Sequence, residues 1–267
     1  MVLLLKKMYQ WYFKVFKEYA DPRADEYYLM AYSYGIFQML FISLGYLYLI
    51  DYLKKFMHNR PPYNLKSAIL LYNGLQVCFN GYITYHAFFE SLNLSLYCSP
   101  INYSTEPRHL FVLKIAYFYF LTKILDTLDT IFFILRKKDS HVSFLHIYHH
   151  FGMINITWIG VKFLGGGHSI FLGLINSFVH TCMYTYYFLS ALDDKYKNIS
   201  FKKTITQIQL IQHTLLILIY GFLLFTDCSY PKFASFFFVP QCCFMVALFG
   251  EFYYRTYIKG ANREKNN

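Results

Sequence analysis

Three imidazoles crowd into His146-Ile-Tyr-His149-His150, a few residues after a fourth at His141. At about 100° per residue, positions 146, 149 and 150 share one helical face. Neutral imidazole is a nucleophile or base near neutral pH and also a common metal ligand, so acyl transfer and metal ligation are the two chemistries this face suits. Upstream, Lys123-Ile-Leu-Asp126-Thr-Leu-Asp129-Thr130 sets an amine, two carboxylates and a hydroxyl at three- and four-residue steps. That spacing forms a polar stripe that pairs Lys with Asp and turns away from lipid. The plainer alternatives are an ion pair that only fixes packing and, for any single histidine, a hydrogen-bonded packing role.

Two further sets repeat at helical spacing: Asn176 with His180, and Thr206, Gln209 and Gln212. Helix-to-helix hydrogen bonding is the alternative for these amides. A membrane di-iron desaturase or hydroxylase also carries an HxxHH box, but it needs further histidine boxes to hold two irons. The chain has ten histidines, and those outside the cluster are His58, His86, His109, His168, His180 and His213, with no second HxxHH or HxxxH. No metal site is therefore expected.

The elements that position these groups are membrane helices. Of 267 residues, 56% are hydrophobic and only 15% charged, against about 25% charged in soluble domains. A net charge of +10 with 28 Tyr and 29 Phe would suit nucleic acid, but the aromatics lie inside apolar runs and the cations between them, so no nucleic acid is expected. Six scattered cysteines without a CxxC pair exclude a disulfide scaffold and a zinc site. Seven apolar segments occur near Leu29–Ile50, Ala68–Phe89, Leu110–Leu135, Val142–Leu164, Ile170–Leu189, Ile205–Phe225 and Ala234–Tyr254. In lipid each must be helical, because no water is present to satisfy the backbone. The expectation is an all-α integral membrane protein of seven transmembrane helices, one polytopic domain over 1–267, with an N-terminal tail over 1–28 and a C-terminal tail over 255–267. Val2 to Leu5 is too short for a signal peptide, and no cleavage is expected.

Fifteen cations, among them Lys54, Arg60, Arg136, Lys138, Lys202 and Arg255, flank one side of these segments; the opposite loops hold Arg108, Lys162 and Lys232. The positive-inside rule places the C-terminus in the cytosol and the N-terminus in the lumen, although the basic N-terminal tail argues mildly the other way. The loop from Glu90 to His109 then lies in the lumen, where its acceptors Asn93-Leu-Ser95 and Asn102-Tyr-Ser104 would be usable. Cys98 on that loop and Cys228 on the other outside loop either pair in the oxidising compartment or remain two free thiols. The ending Arg263-Glu264-Lys265-Asn266-Asn267 reads equally as a dibasic endoplasmic reticulum return signal or as a solvated tail.

In chain order, Lys123 to Thr130, His146 to His150, His180 to Tyr187 and Thr206 to Gln212 match KxxExxDT, HxxHH, HxxMYxYY and TxxQxxQ. The chain thereby resembles the ELO family of very-long-chain fatty acid elongases, densely from about Lys123 to Gly260. It departs at Asp126, where the pattern has Glu, and at His141, where many members have Gln; the second puts a substrate contact there in question. The resemblance implies six helices in a barrel around an acyl tunnel closed at the lumenal end, in the endoplasmic reticulum membrane. It implies condensation of acyl-CoA with malonyl-CoA to 3-oxoacyl-CoA, releasing CO2 and CoA, with no metal or redox cofactor. The middle histidine of the box, His149, takes the acyl group in this reading. His146, His150, His180 or Asn176 would stabilise negative charge on oxygen, and Asp129 would orient an imidazole. CoA contacts would map to Lys123, Arg136, Lys138, His146, Tyr186, Lys202, Thr206, Gln209 and Arg255. A lumenal Cys98–Cys228 disulfide is implied as well. Partners would be the two CoA esters, membrane lipid, and other elongation-cycle enzymes or a second copy. The stretch Gly160 to His168 is more similar to the branch acting on saturated and monounsaturated chains. A desaturase would instead bind iron and consume oxygen, and a seven-helix receptor would leave the histidine face unexplained.

Overall fold

The computed structural model describes residues 7, 10, 13, 14, 18–31 and 34–259; Arg263 and Lys265 of the dibasic ending lie outside the described residues. Every regular element among the described residues is helical. The principal helices are α1 (Gly35–Met57), α2 (Lys66–Ser91), α3 (Pro107–Leu125), α4 (Leu128–Leu135), α5 (Phe144–Phe163), α6 (Ser169–Leu192), α7 (Ile199–Phe225) and α8 (Lys232–Tyr253), the last continuing as a π-helical turn over Tyr254–Lys259. Each expected apolar segment overlaps these helices, although the first, expected from Leu29, starts in a separate 3-10 turn over Tyr28–Met30.

By length and composition, three spans are apolar enough to cross a membrane: Gly35–Met57, Ser200–Phe225 and Lys232–Lys259. Helices α2, α3, α5 and α6 carry the groups that depress hydropathy, and those groups point inward. Asn73, Gln76, Asn80, Lys123, His150, Lys162, Asn176 and His180 are all buried, whereas Phe41, Tyr48, Phe225 and Phe236 are exposed. This is the inversion expected when lipid is the solvent, because an unpaired polar group facing hydrocarbon is costly.

Helix α2 packs on α6 and α3, α3 on α5, α6 on α7, and α7 on α8; α1 lies against α4 and α5. Between α5 and α8, Tyr148 donates to Gln241 Oε1 at 2.6 Å and its ring meets Phe244.

The third apolar segment, expected as one helix, divides between α3 and α4. The amides of Thr127 and Asp129 bond three residues back, to Ile124 and Asp126. The Thr127 hydroxyl also donates to the Ile124 carbonyl at 2.7 Å. Threonine competing for a helical carbonyl tightens the turn and breaks the α register, here between the two carboxylates.

At the far end from His141, a disulfide joins Cys98 and Cys228, with Cα atoms 5.5 Å apart. Within the N-terminal tail, residues 21–28 pack against the helices. Asp21, Arg23, Ala24 and Met30 are buried. Asp21 accepts from the Arg23 guanidinium at 2.6 Å, and Arg23 reaches the carbonyls of Asn102 and Ser104. Asp25 pairs with Lys162, and the Asp21 amide donates to the Lys162 carbonyl. Lys162, counted above with the outside loops, is in fact a fully buried residue of α5. Asp21, Arg23 and Lys162 are buried because each has its partner, whereas Asp25 stays exposed at the edge.

Candidate active site

Helix α3 delivers Lys123 and Asp126 to the protein interior, α6 delivers His180, and α5 delivers the histidine trio. The Lys123 ammonium donates to Asp126 Oδ2 at 3.0 Å, and the two side chains are 0% and 1% exposed. Asp126 Oδ1 accepts from Gln76 Nε2 at 2.6 Å and from the Tyr184 hydroxyl at 3.1 Å. Lys123 also lies 3.2 Å from His180 Nδ1 and 4.9 Å from the centre of the Tyr119 ring. His180 Nδ1 also lies 3.4 Å from Asp126 Oδ2, so both members of the pair face this ring nitrogen. The pair thus fixes the orientation of the His180 ring.

His180 and His149 lie with ring centroids 6.4 Å apart, tilted by only 22°. His150 bridges the trio, 5.4 Å from His149 and 4.3 Å from His146. It is buried, while His146 and His149 stay partly exposed. His146 Nε2 is 2.8 Å from the Thr130 hydroxyl, which is 2.9 Å from the Tyr46 hydroxyl. The polar stripe and the histidine face therefore meet.

Other expected site residues divide between this centre and its surroundings. Asn176 is buried, accepts from Tyr119 at 2.7 Å and donates to Gln212 at 3.4 Å, tying α3, α6 and α7 together. Asp129, expected to orient an imidazole, instead accepts from the Tyr184 hydroxyl at 2.7 Å. Its place three residues beyond Asp126, past the break in the helix, turns it toward α6. Lys123, expected among the CoA contacts, occupies the buried centre because Asp126 and His180 satisfy it there. Thr206 is buried and donates to the Lys202 carbonyl, and Gln209 contacts the sulfur of Met183. The Tyr186 hydroxyl is buried without a hydrogen-bond partner among the described residues.

Arg136, Lys138 and, in the first turn of α7, Lys202 gather around His141, which itself lies outside the spanning segments. Burial, reinforced by Lys138, Lys202 and Arg136, holds that imidazole below its ordinary pKa. Such a cluster of cations suits a polyanion. Arg255 stands apart, exposed and paired with Glu251 at 2.5 Å.

Several members of the site escape a reading of motifs. Asn73, Gln76 and Asn80 recur at three- and four-residue steps in an otherwise apolar segment, which is the same inward-face signal seen in α3. Tyr46, Tyr72 and Tyr119 gave no such signal among so many tyrosines, whereas Tyr184 belongs to the HxxMYxYY stretch. His213, buried with its Nδ1 unpartnered among the described residues, follows Gln209 by four residues and so shares its face. Among the described residues, no three His, Cys, Asp or Glu side chains converge as donors for a metal.

From Tyr119 toward the disulfide end, a cavity of about 310 Å³ lies between α2, α3, α5 and α6. Ile83, Ile115, Thr157, Val161, Leu172 and Phe238 form much of its wall.

A family model described as "ELO: GNS1/SUR4 family" matches residues 31–265. The chain is 39% identical over 246 residues to a very long chain fatty acid elongase of Aedes aegypti, covering 90% of this chain and 68% of that one. It is 38% identical over 252 residues to very long chain fatty acid elongase 7 of Drosophila melanogaster, with coverages of 92% and 75%. Over 259 residues it is 35% identical to very long chain fatty acid elongase 4 of Homo sapiens, with coverages of 94% and 79%.

Proposed function

The chain belongs to the ELO family of fatty acid elongases, and from that premise we propose that it condenses a long-chain acyl-CoA with malonyl-CoA through an acyl-imidazole on His149. The observation that carries the proposal is the face-to-face placement of His149 and His180, with His180 held by a buried Lys123–Asp126 pair.

A neutral nitrogen of His149 attacks the thioester carbonyl. The carbon–sulfur bond breaks, CoA leaves as thiolate and takes up a proton, and the acyl-imidazole retains the activation of the thioester. Malonyl-CoA then loses CO2, and the electrons of the broken carbon–carbon bond form an enolate. The enolate attacks the acyl carbonyl, the carbon–nitrogen bond breaks, and the departing imidazolate takes up a proton from water to return neutral His149 with 3-oxoacyl-CoA two carbons longer. In both steps negative charge grows on a carbonyl oxygen in a dry site, where a fixed donor is most effective. The Nε2–H of His180 is the donor we assign, with the Asn176 amide one turn earlier on α6. No metal or redox cofactor enters this sequence.

The acyl chain occupies the cavity beyond Tyr119, within a ring in which α2, α3, α5, α8, α7 and α6 follow one another and α1 stands outside. The pairwise helix contacts and the Tyr148–Gln241 bond support that order. CoA phosphates meet Arg136, Lys138 and Lys202, with Tyr186, Thr206 and Gln209 toward the adenosine and pantetheine side. The same reading puts the protein in the endoplasmic reticulum, with the N-terminus and the disulfide in the lumen and the C-terminus in the cytosol; Asn93 and Asn102 are exposed there as glycosylation acceptors.

The test is His149→Ala in the purified full-length protein, with labelled malonyl-CoA and an acyl-CoA. Condensation is expected to fall to background while the unfolding midpoint stays near that of the wild type. Full activity in this variant would remove the covalent route.

A further inference from the structure

The cavity beyond Tyr119 is walled mainly by apolar side chains, yet two charged residues line it: Glu90 at the end of α2 and Arg108 in the first turn of α3. They bond to each other at two points. Arg108 Nε donates to Glu90 Oε2 at 3.1 Å and Nη2 donates to Oε1 at 2.9 Å. The pair bridges α2 and α3 at the end of the cavity remote from the imidazoles. Along α3, the rise from Tyr119 back to Arg108 is about 16 Å at 1.5 Å per residue.

Stability alone gives little reason for this pair. The Arg108 side chain is 51% exposed and that of Glu90 19%, and an ion pair so open to its surroundings contributes little. As a barrier it is effective. An apolar chain end that reaches the pair goes further only by displacing two charge-assisted hydrogen bonds, and methylenes pushed past it gain no burial.

We propose that the Glu90–Arg108 pair is the end-stop of the acyl cavity and sets the longest product the protein makes. The inference rests on the condensing-enzyme reading above and adds to it the residues that limit chain length. Because burial of two methylenes is worth about tenfold in rate, each two-carbon step beyond the stop is disfavoured by about that factor.

The experiment compares product chain lengths from a panel of acyl-CoAs for the full-length wild type, Glu90→Ala/Arg108→Ala and the exchanged pair Glu90→Arg/Arg108→Glu. Without the pair, the product limit is expected to lengthen by at least one two-carbon step, with about a tenfold gain on the acyl-CoA at which the wild type stops. The exchanged pair is expected to restore the wild-type limit. Should the alanine variant fail to fold, Glu90→Gln/Arg108→Met removes the charges at nearly constant volume and is expected to shift the limit in the same direction. An unchanged limit in a folded, active variant lacking the pair overturns the inference, as does an exchanged pair that behaves like the alanines. A wild type that makes no 3-oxoacyl-CoA from any acyl-CoA overturns the condensing-enzyme reading instead.

Discussion

Replacing Asp126 by alanine tests the centre of the site, because it leaves the Lys123 ammonium in a place built for an ion pair. Lys123 is fully buried, and its remaining neighbours would be the His180 imidazole and the Tyr119 ring. Breaking a buried pair by removing one partner costs about 3–5 kcal/mol, and a ring face returns on the order of 1 kcal/mol of that. Gln76 keeps Tyr72 as a partner and Tyr184 keeps Asp129, so their losses are small. The net cost is about 3 kcal/mol, which lowers the unfolding midpoint by roughly 6–12 °C in a chain of this size. Lys123→Met/Asp126→Leu removes both charges at similar volume, and its midpoint is expected near that of the wild type, since paired apolar replacements of this kind are often neutral. Condensation should be lost in the double variant, where His180 loses both groups that face its Nδ1, and should fall in Asp126→Ala, where the ammonium loses the carboxylate that positions it. The assay measures unfolding midpoints in detergent and the rate of CO2 release from malonyl-CoA. A midpoint for Asp126→Ala equal to wild type, or an active double variant, would refute the reasoning.

The same logic applies at the disulfide end, where Asp25→Ala strands the buried Lys162 and should cost about 2–3 kcal/mol, less than the full range because Asp25 is 39% exposed. Lys162→Met should recover most of that loss in the double variant, as read from unfolding midpoints. At the opposite end the pH response of His141 is predictable in sign. Folding holds its pKa below the ordinary 6.5, so the unfolded chain binds more protons below that value and stability falls as pH falls through this window. Between pH 7 and 5.5, His141→Gln should lose less of its unfolding midpoint than the wild type; equal losses would show that the imidazole does not carry this response.

Much of the architecture was legible from the chain alone, because it depends on interactions with lipid and within single helices. Apolar segments long enough to span a bilayer must be helical there, and a fixed rise and rotation put His146, His149 and His150 on one face and Lys123 beside Asp126. What those faces meet is set by the rotation and depth of each helix against its neighbours, and hydropathy encodes neither. Only the tertiary structure therefore brought His180 from α6 and Gln76 from α2 to the Lys123–Asp126 pair, and gave Asp129 to Tyr184. It also buried Asp21 and Arg23 in a segment that reads as a polar tail, because their partners lie on a distant loop and on each other. Glu90 and Arg108 likewise look like ordinary loop-edge charges until packing of α2 on α3 joins them across the end of the cavity.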